Sequence, residues 1–170
     1  VERAYAAQKI WATATQQHVD RVCEAMAQAA FLGAERLGRM AAEETGFGVP
    51  EHKKLKNEFA SKHVWDRIKD ITTVGFVRQD KKNMIYEIAW PMGVVAALIP
   101  STNPTSTTMN KILISVKARN GIVIAPHPSA VNCCTDTVKL MVDAAEDAGA
   151  PPGLINCLTQ ISLNGTQELM

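Results

Sequence analysis

Residues 91–111 read PMGVVAALIPSTNPTSTTMNK, and the fold is decided there. A nearly unbroken apolar run over 93–99 ends at Pro100, and a short polar loop follows. Pro104 then opens a stretch in which Met109, Ile112, Leu113 and Val116 recur at helical spacing. Two further apolar runs, GIVIA at 121–125 and LINCL at 154–158, bracket a second helical stripe of Val138, Met141, Val142 and Ala145, which Gly149 and Pro151 stop. Runs this short and continuous predict strands covered on both faces of a parallel sheet, because a strand with one wet face alternates instead. The pattern is βαβαβ, the first half of a doubly wound parallel nucleotide-binding sheet, and right-handed crossovers bring its strand ends to one rim.

Before this unit the chain reads as helical. Ala4, Ala7, Ile10 and Trp11 form one stripe. Val19, Val22, Cys23, Met26, Ala30, Leu37, Met40 and Ala41 predict one long helix over 16–45, capped by Thr15 and stopped by Gly46, Gly48 and Pro50. A third helix is predicted over 51–69. From residue 74 the period drops to two: Val74, Phe76, Met84, Tyr86, Ile88 and Trp90 alternate with polar positions across a turn at 80–83, which predicts a half-exposed antiparallel hairpin. That ribbon is either a sheet edge of the same domain or an arm that pairs with a neighbouring subunit, since two strands alone are marginal. The predicted organisation is therefore α/β: N-terminal helices over 1–70, a hairpin and oligomerisation arm over 71–90, and the incomplete βαβαβ sheet over 91–170. A further helix is expected from Thr166. Three strands leave an unpaired edge, and with a start at Val1 rather than Met the chain reads as an excerpt.

Composition narrows the function. The chain has 170 residues, 46% of them hydrophobic and 21% charged, which suits a globular core rather than a disordered tail. Eighteen Lys plus Arg against seventeen Asp plus Glu give a formal charge of +1, so there is no basic field for a polyanion and nucleic acid is not an expected partner. The apolar run at 93–99 is far below the about 20 residues a membrane helix needs, so no membrane partner is expected either. Cys23, Cys133, Cys134 and Cys157 are too few for a disulfide scaffold, and no basic-then-apolar leader opens the chain; a reducing cytoplasm is the expected location. The adjacent pair Cys133 and Cys134 lacks the gap that lets two thiolates grip zinc. The four thiols read as small buried hydrophobes, and no metal site is predicted. Neither GxGxxG nor a P-loop occurs.

Ligands of open α/β sheets sit beyond the carboxyl ends of the strands, which points to residues 100–104 and 126–129. Asn103 has the chemistry of a helix N-cap and Pro104 that of the first helical residue, so the free N–H groups behind them favour an anion such as phosphate. Capping alone accounts for Asn103 equally well, and the two roles are compatible. His127, fixed between Pro126 and Pro128, is either an imidazole held against a ligand or an ordinary turn histidine. Lys111 projects opposite the apolar stripe of its helix, as a solvated lysine does.

Residues 91–111, with ARNGIVIAPHPSA (118–130), AGAPPGLINCL (148–158), AAEETGFG (41–48) and KNEFASKHVWDRIKD (56–70), resemble the coenzyme A-acylating branch of the aldehyde dehydrogenase superfamily. That branch includes the aldehyde domain of bifunctional aldehyde-alcohol dehydrogenases and the stand-alone acetaldehyde and propionaldehyde dehydrogenases. The resemblance implies NAD-dependent oxidation of a small aldehyde: a cysteine thiolate attacks the carbonyl, hydride passes to the nicotinamide, and coenzyme A removes the acyl group. It also implies a homo-oligomer joined through the hairpin, in the cytoplasm or inside a bacterial microcompartment.

Position by position, Leu98, Ile99, Pro100, Ser101, Thr102 and Asn103 match the loop that lines the NAD channel. Thr102 and Asn103 are the two candidates for the oxyanion donor. Lys111 matches a lysine near the active site of hydrolytic relatives. Those relatives grip the adenosine ribose with the Lys and Glu of a KPSE-like segment, whereas Ala125, Pro126, His127 and Pro128 stand here, placing His127 and Pro128 at the cofactor without either charge. Looser ribose binding is expected to let NAD leave so that coenzyme A uses the same channel. None of the four cysteines matches the family's nucleophile, so the chain alone is expected to be inactive. Two rival readings are a same-fold dehydrogenase of a phosphorylated semialdehyde and a non-catalytic nucleotide-binding or assembly module.

Overall fold

The computed structural model describes residues 1–169; Met170, the last residue of the predicted 91–170 segment, lies outside them. Helix α1 (Glu2–Trp11) buries Ala4, Ala7, Gln8 and Trp11. Ile10, assigned to that stripe from spacing, is exposed instead. Thr15 caps α2 (Gln16–Leu32) as predicted, its hydroxyl oxygen accepting the His18 amide at 3.2 Å. The single helix predicted over 16–45 is two, because the chain breaks at Gly33 before α3 (Ala34–Thr45). A Cβ at Gly33 would stand 2.7 Å from Leu140 Cδ2, so the glycine admits that leucine and lowers local helix propensity. The two halves then serve different partners: α2 packs on the later helices, whereas α3 packs chiefly on α4 (Pro50–Glu58). Gly46 ends α3 in the left-handed conformation expected of it.

The helix predicted over 51–69 is found as α4, a π-turn at Phe59–His63 and α5 (Val64–Ile68). Ser61 Oγ donates back to the Asn57 carbonyl at 2.7 Å inside that turn, the kind of local competition that widens a helix. The hairpin follows as β1 (Gly75–Asp80) and β2 (Ile85–Ala89), which among the described residues pair only with each other. It is therefore not an edge of the main sheet, and it is more exposed than its alternation predicted: Phe76, Val77, Ile85, Tyr86 and Ile88 all face solvent.

Both feet of the hairpin are tied to the body. Gln16 Oε1 accepts the Thr73 and Val74 amides at 2.8 and 3.0 Å, and Thr73 Oγ1 donates to the Lys117 carbonyl at 2.7 Å. Arg119, buried and in the left-handed region at φ 61°, donates to the carbonyls of Ala12 and Ala89. Asn120 Oδ1 accepts the Met92 and Gly93 amides.

The main sheet has β3 (Val94–Leu98), β4 (Gly121–Ala125) and β5 (Ile155–Cys157) in the order β3-β4-β5, all parallel. The helices between them are α6 (Pro104–Lys117) and α7 (Val131–Asp147), and α8 (Leu163–Leu169) starts three residues before the expected Thr166. Every residue of β4 is buried. On β3 the prediction of two covered faces fails: Ala97 and Ile99 are buried while Ala96 and Leu98 are exposed, because β3 is an edge strand with cover on one face only. The third strand spans three residues rather than the run of LINCL. Met109, Ile112, Leu113 and Val116 from α6 join Val138, Met141 and Ala145 from α7 and the α2 stripe in one core, each large side chain contributing about 1.5–3 kcal/mol on burial. Among the described residues no helix is long and apolar enough to cross a membrane.

Candidate functional site

β3 and β4 end side by side. Leu98 pairs with Ala125, and the Ile99 amide donates to the Ala125 carbonyl at 3.0 Å. The loops that follow both strands thus leave the sheet at one rim, where the topology predicted them.

Asn103 occupies the N-cap position of α6, yet its side chain makes no capping hydrogen bond, so the capping role read from the sequence is not realised. Its Oδ1 instead accepts from Lys56 Nζ at 2.8 Å, and its Nδ2 reaches Thr102 Oγ1 at 3.5 Å. A charge-assisted bond outcompetes the neutral amide of the first turn. The N–H groups at the start of α6 are left without a side-chain acceptor, and Pro104 stands at the first turn as predicted. α7 is the opposite case: Glu44, at the end of α3, accepts the Asn132 and Cys133 amides at 2.8 and 2.7 Å. A carboxylate already fills that helix start, so of the two on this rim only the α6 start is open to an anion.

The cations around it come from α4. Lys53 is 4% exposed, and its Nζ donates to the Thr102 carbonyl at 2.5 Å. Close approach of α3 and α4 encloses it: a Cβ at Gly38 would lie 2.8 Å from the Lys54 amide nitrogen and 3.2 Å from Lys53 Cβ. Burial, and then the neighbouring Lys56, hold the Lys53 ammonium below the ordinary lysine pKa. One turn along α4, buried Asn57 donates to the Ala34 carbonyl at 3.0 Å and accepts from Thr105 Oγ1 at 2.8 Å, fixing the first turn of α6 against α3.

Two grooves meet at Asn103. The first, of about 420 Å³, is lined by Gly48, His52, Lys53, Lys56, Thr102 and Asn103 among others. The second, of about 500 Å³, has Leu55, Phe59 and Val64 on its α4–α5 side and Ser106, Asn110 and Lys111 on α6. Lys111 is thus half-buried on a groove wall rather than freely solvated. Thr102 is exposed and Ser101 and Asn103 are half-buried, so the loop is presented rather than packed away.

Leu98, Pro100, Ser101, His127 and Pro128 lie at the rim but line neither groove, and the Ile99 side chain is turned into the core. His127 behaves as a turn residue: its Nδ1 accepts the Ser129 amide at 3.2 Å and lies 2.8 Å from Ser129 Oγ, capping the 3₁₀ turn Pro128–Ala130.

None of the four thiols lines either groove. Cys23, Cys133 and Cys134 are buried and Cys157 is half-buried. Burial pushes the Cys23 thiol up, and the adjacent Cys134, burial and Glu44 push Cys133 up. No cluster of metal-ligating side chains occurs among the described residues.

The sequence model of the aldehyde dehydrogenase family matches residues 1–169. The chain belongs to the aldehyde dehydrogenase family. Among its relatives, the aldehyde-alcohol dehydrogenase of Clostridium acetobutylicum is 42% identical over 164 residues, which is 96% of this chain and 19% of that protein. A solved acetylating aldehyde dehydrogenase from Geobacillus thermoglucosidasius superposes with a TM-score of 0.97 at 55% identity, covering 99% of this chain and 37% of that one. A propionaldehyde dehydrogenase of Rhodopseudomonas palustris, solved with bound CoA and an acylated cysteine, gives a TM-score of 0.81 at 28% identity over 98% of this chain and 38% of that one. The chain therefore spans from 19% to 38% of the length of these relatives.

Lys53, Asn57 and Glu44 were not singled out in the sequence. The first two sit at i and i+4 on the buried face that continues through Ala60 and Trp65. A polar pair on an otherwise apolar helical face was the available signal. Glu44 had none, because the amides it accepts lie 88 and 89 residues away.

Proposed function

We propose that this chain is the cofactor-side portion of a CoA-acylating aldehyde dehydrogenase, interconverting a small aldehyde plus coenzyme A with the corresponding acyl-CoA. The observation that carries the reading is the open start of α6 beside Thr102 and Asn103, flanked by Lys53 and Lys56, next to an α7 start that Glu44 closes. A helix start without a carboxylate, set among ammonium groups, suits a phosphate-bearing ligand. NAD and coenzyme A both carry a pyrophosphate, and the adjoining grooves of about 420 and 500 Å³ are large enough for part of either.

When bound, NAD supplies the hydride acceptor and coenzyme A the thiol that takes the acyl group. The residues of this chain bind and orient. Lys56 holds the carbonyl end of the Asn103 amide, which leaves the NH₂ end to donate, and the exposed Thr102 hydroxyl stands beside it. Either is placed to donate to an aldehyde oxygen as that oxygen gains negative charge. Lys111 lies along the groove that starts at Asn103, within reach of the same ligand.

The turn after β4 offers His127 and Pro128 and no lysine, arginine or carboxylate, which supports loose, exchangeable nucleotide binding and a channel that NAD and coenzyme A use in turn. The relative solved with bound CoA and an acylated cysteine supports a step in which coenzyme A meets an acyl-enzyme. The hairpin, paired only with itself and lined with exposed apolar side chains, supports a homo-oligomer in which it adds to a neighbouring subunit.

The test is an assay of the complete enzyme with acetaldehyde and NAD. NADH formation is expected to require coenzyme A and to yield acetyl-CoA. NADH formation that ignores coenzyme A and releases the free acid contradicts the reading.

A further inference from the structure

The backbone of residues 100–102 makes no backbone–backbone hydrogen bond among the described residues; the nearest such bonds are those of the Ile99 amide and the Asn103 carbonyl. A loop that carries the proposed donors therefore needs another support. The support is on α4: Lys53 holds the Thr102 carbonyl at 2.5 Å and Lys56 the Asn103 Oδ1 at 2.8 Å.

We propose that Lys53, with Lys56 beside it, is a positioning residue for the loop at 101–103, fixing the orientation in which Thr102 and Asn103 meet cofactor and substrate. This rests on the reading of that loop given above and adds to it a function for α4.

Three features separate this from ordinary packing. Lys53 is 4% exposed and enters none of the ion pairs among the described residues; the Thr102 carbonyl is the hydrogen-bond acceptor its ammonium finds there. An apolar side chain of similar length would fill the space without that desolvation. The two lysines lie three residues apart, on one face of a single helix, and reach consecutive residues of the loop. Lys56 also settles which end of the Asn103 amide points outward, since an ammonium group can only donate and so must take the oxygen.

The complete enzyme is assayed with acetaldehyde, NAD and coenzyme A as wild type, Lys53→Met and Lys53→Arg. Each is also prepared in a Thr102→Ala Asn103→Ala background. Lys53→Met keeps the stem and removes the donor; kcat is expected to fall about tenfold, equivalent to about 1.4 kcal/mol, with aldehyde KM moving less than about threefold. Lys53→Arg is expected to recover most of that loss. In the loop-substituted background Lys53→Met is expected to cost less than about twofold, because the groups it positions are gone.

An unchanged kcat in Lys53→Met, or the same tenfold loss in both backgrounds, overturns the proposal. If Lys53→Met does not fold, Lys56→Met carries the same test, since its side chain reaches the groove from the solvent side. Wild-type enzyme without CoA-dependent oxidation overturns the loop reading and this inference together; wild-type activity with an unaffected Lys53→Met overturns this inference alone.

Discussion

Asp20 and Lys117 form the most deeply placed ion pair, and the two ends of that pair differ in a way that can be measured. The Lys117 side chain is 3% exposed and that of Asp20 33%, with Nζ to Oδ1 at 2.5 Å. Among the described residues Lys117 has one further hydrogen-bond partner, the Lys69 carbonyl at 3.0 Å, and its ammonium lies 5.4 Å from the centre of the Trp65 ring. Asp20→Ala leaves that buried ammonium without its counter-charge. Breaking a fully buried pair in this way costs 3–5 kcal/mol; with the carboxylate end one-third open, water replaces part of it and about 2–3 kcal/mol is expected.

Lys117→Met instead removes the buried charge. It leaves Asp20 half in water and still accepting from Gln16 Nε2 at 2.9 Å, so less than about 1 kcal/mol is expected. Urea unfolding reads the difference: with m between about 1 and 3 kcal/mol/M, Asp20→Ala lowers the midpoint by roughly 1 M while Lys117→Met moves it by a few tenths. The double variant is expected to match Lys117→Met alone. A Lys117→Met variant as unstable as Asp20→Ala would refute the reasoning, because the cost would then lie in lost packing and not in a stranded charge.

Glu44→Gln keeps shape and removes the charge at the start of α7; a loss of about 1 kcal/mol by chemical denaturation is expected, since the bonds to Asn132 and Cys133 lose their charge assistance. Cys157, half-buried and pushed up to about 11 by burial, is expected to be the first of this chain's four thiols to be alkylated in the native protein, its rate rising about tenfold per pH unit from 8 to 10. Cys23 and Cys133 are raised further and react only on unfolding. Because these native thiols stay protonated while unfolded ones ionise near 9.0, their contribution to stability is whole below about pH 9 and shrinks as pH rises above it, seen as a falling melting temperature. Replacing both Phe76 and Ile88 by Lys, on exposed positions of the hairpin, is expected to shift the complete enzyme toward smaller species in light scattering with its melting temperature little changed.

The sheet was legible because its signals are local: apolar runs with glycine and proline stops fix strand and helix alternately, and the C-terminal ends of β3 and β4 follow from parallel topology. Thr15, Gly46 and Pro104 likewise act within one turn of chain. The interruption at Gly33 went unseen because a 3.6-residue stripe crosses it without a break, and the Leu140 side chain of α7 that requires a residue without a Cβ there lies more than 100 positions on. Ala96 and Leu98 read as core because burial on the second face depends on what lies beside β3, which the run VVAAL cannot encode. The open α6 start was half-visible. Asn103 and Pro104 marked the place, but whether Asn103 caps its own helix depends on Lys56, 47 positions earlier, and the closure of α7 depends on Glu44.

The most direct test of the account is a crystal structure of the complete enzyme with NAD. The cofactor is expected in contact with residues 101–103, with Lys53 still on the Thr102 carbonyl and Glu44 still on the amides of Asn132 and Cys133. A cofactor seated on the α7 start with Glu44 displaced, and no contact to Thr102 or Asn103, would contradict it.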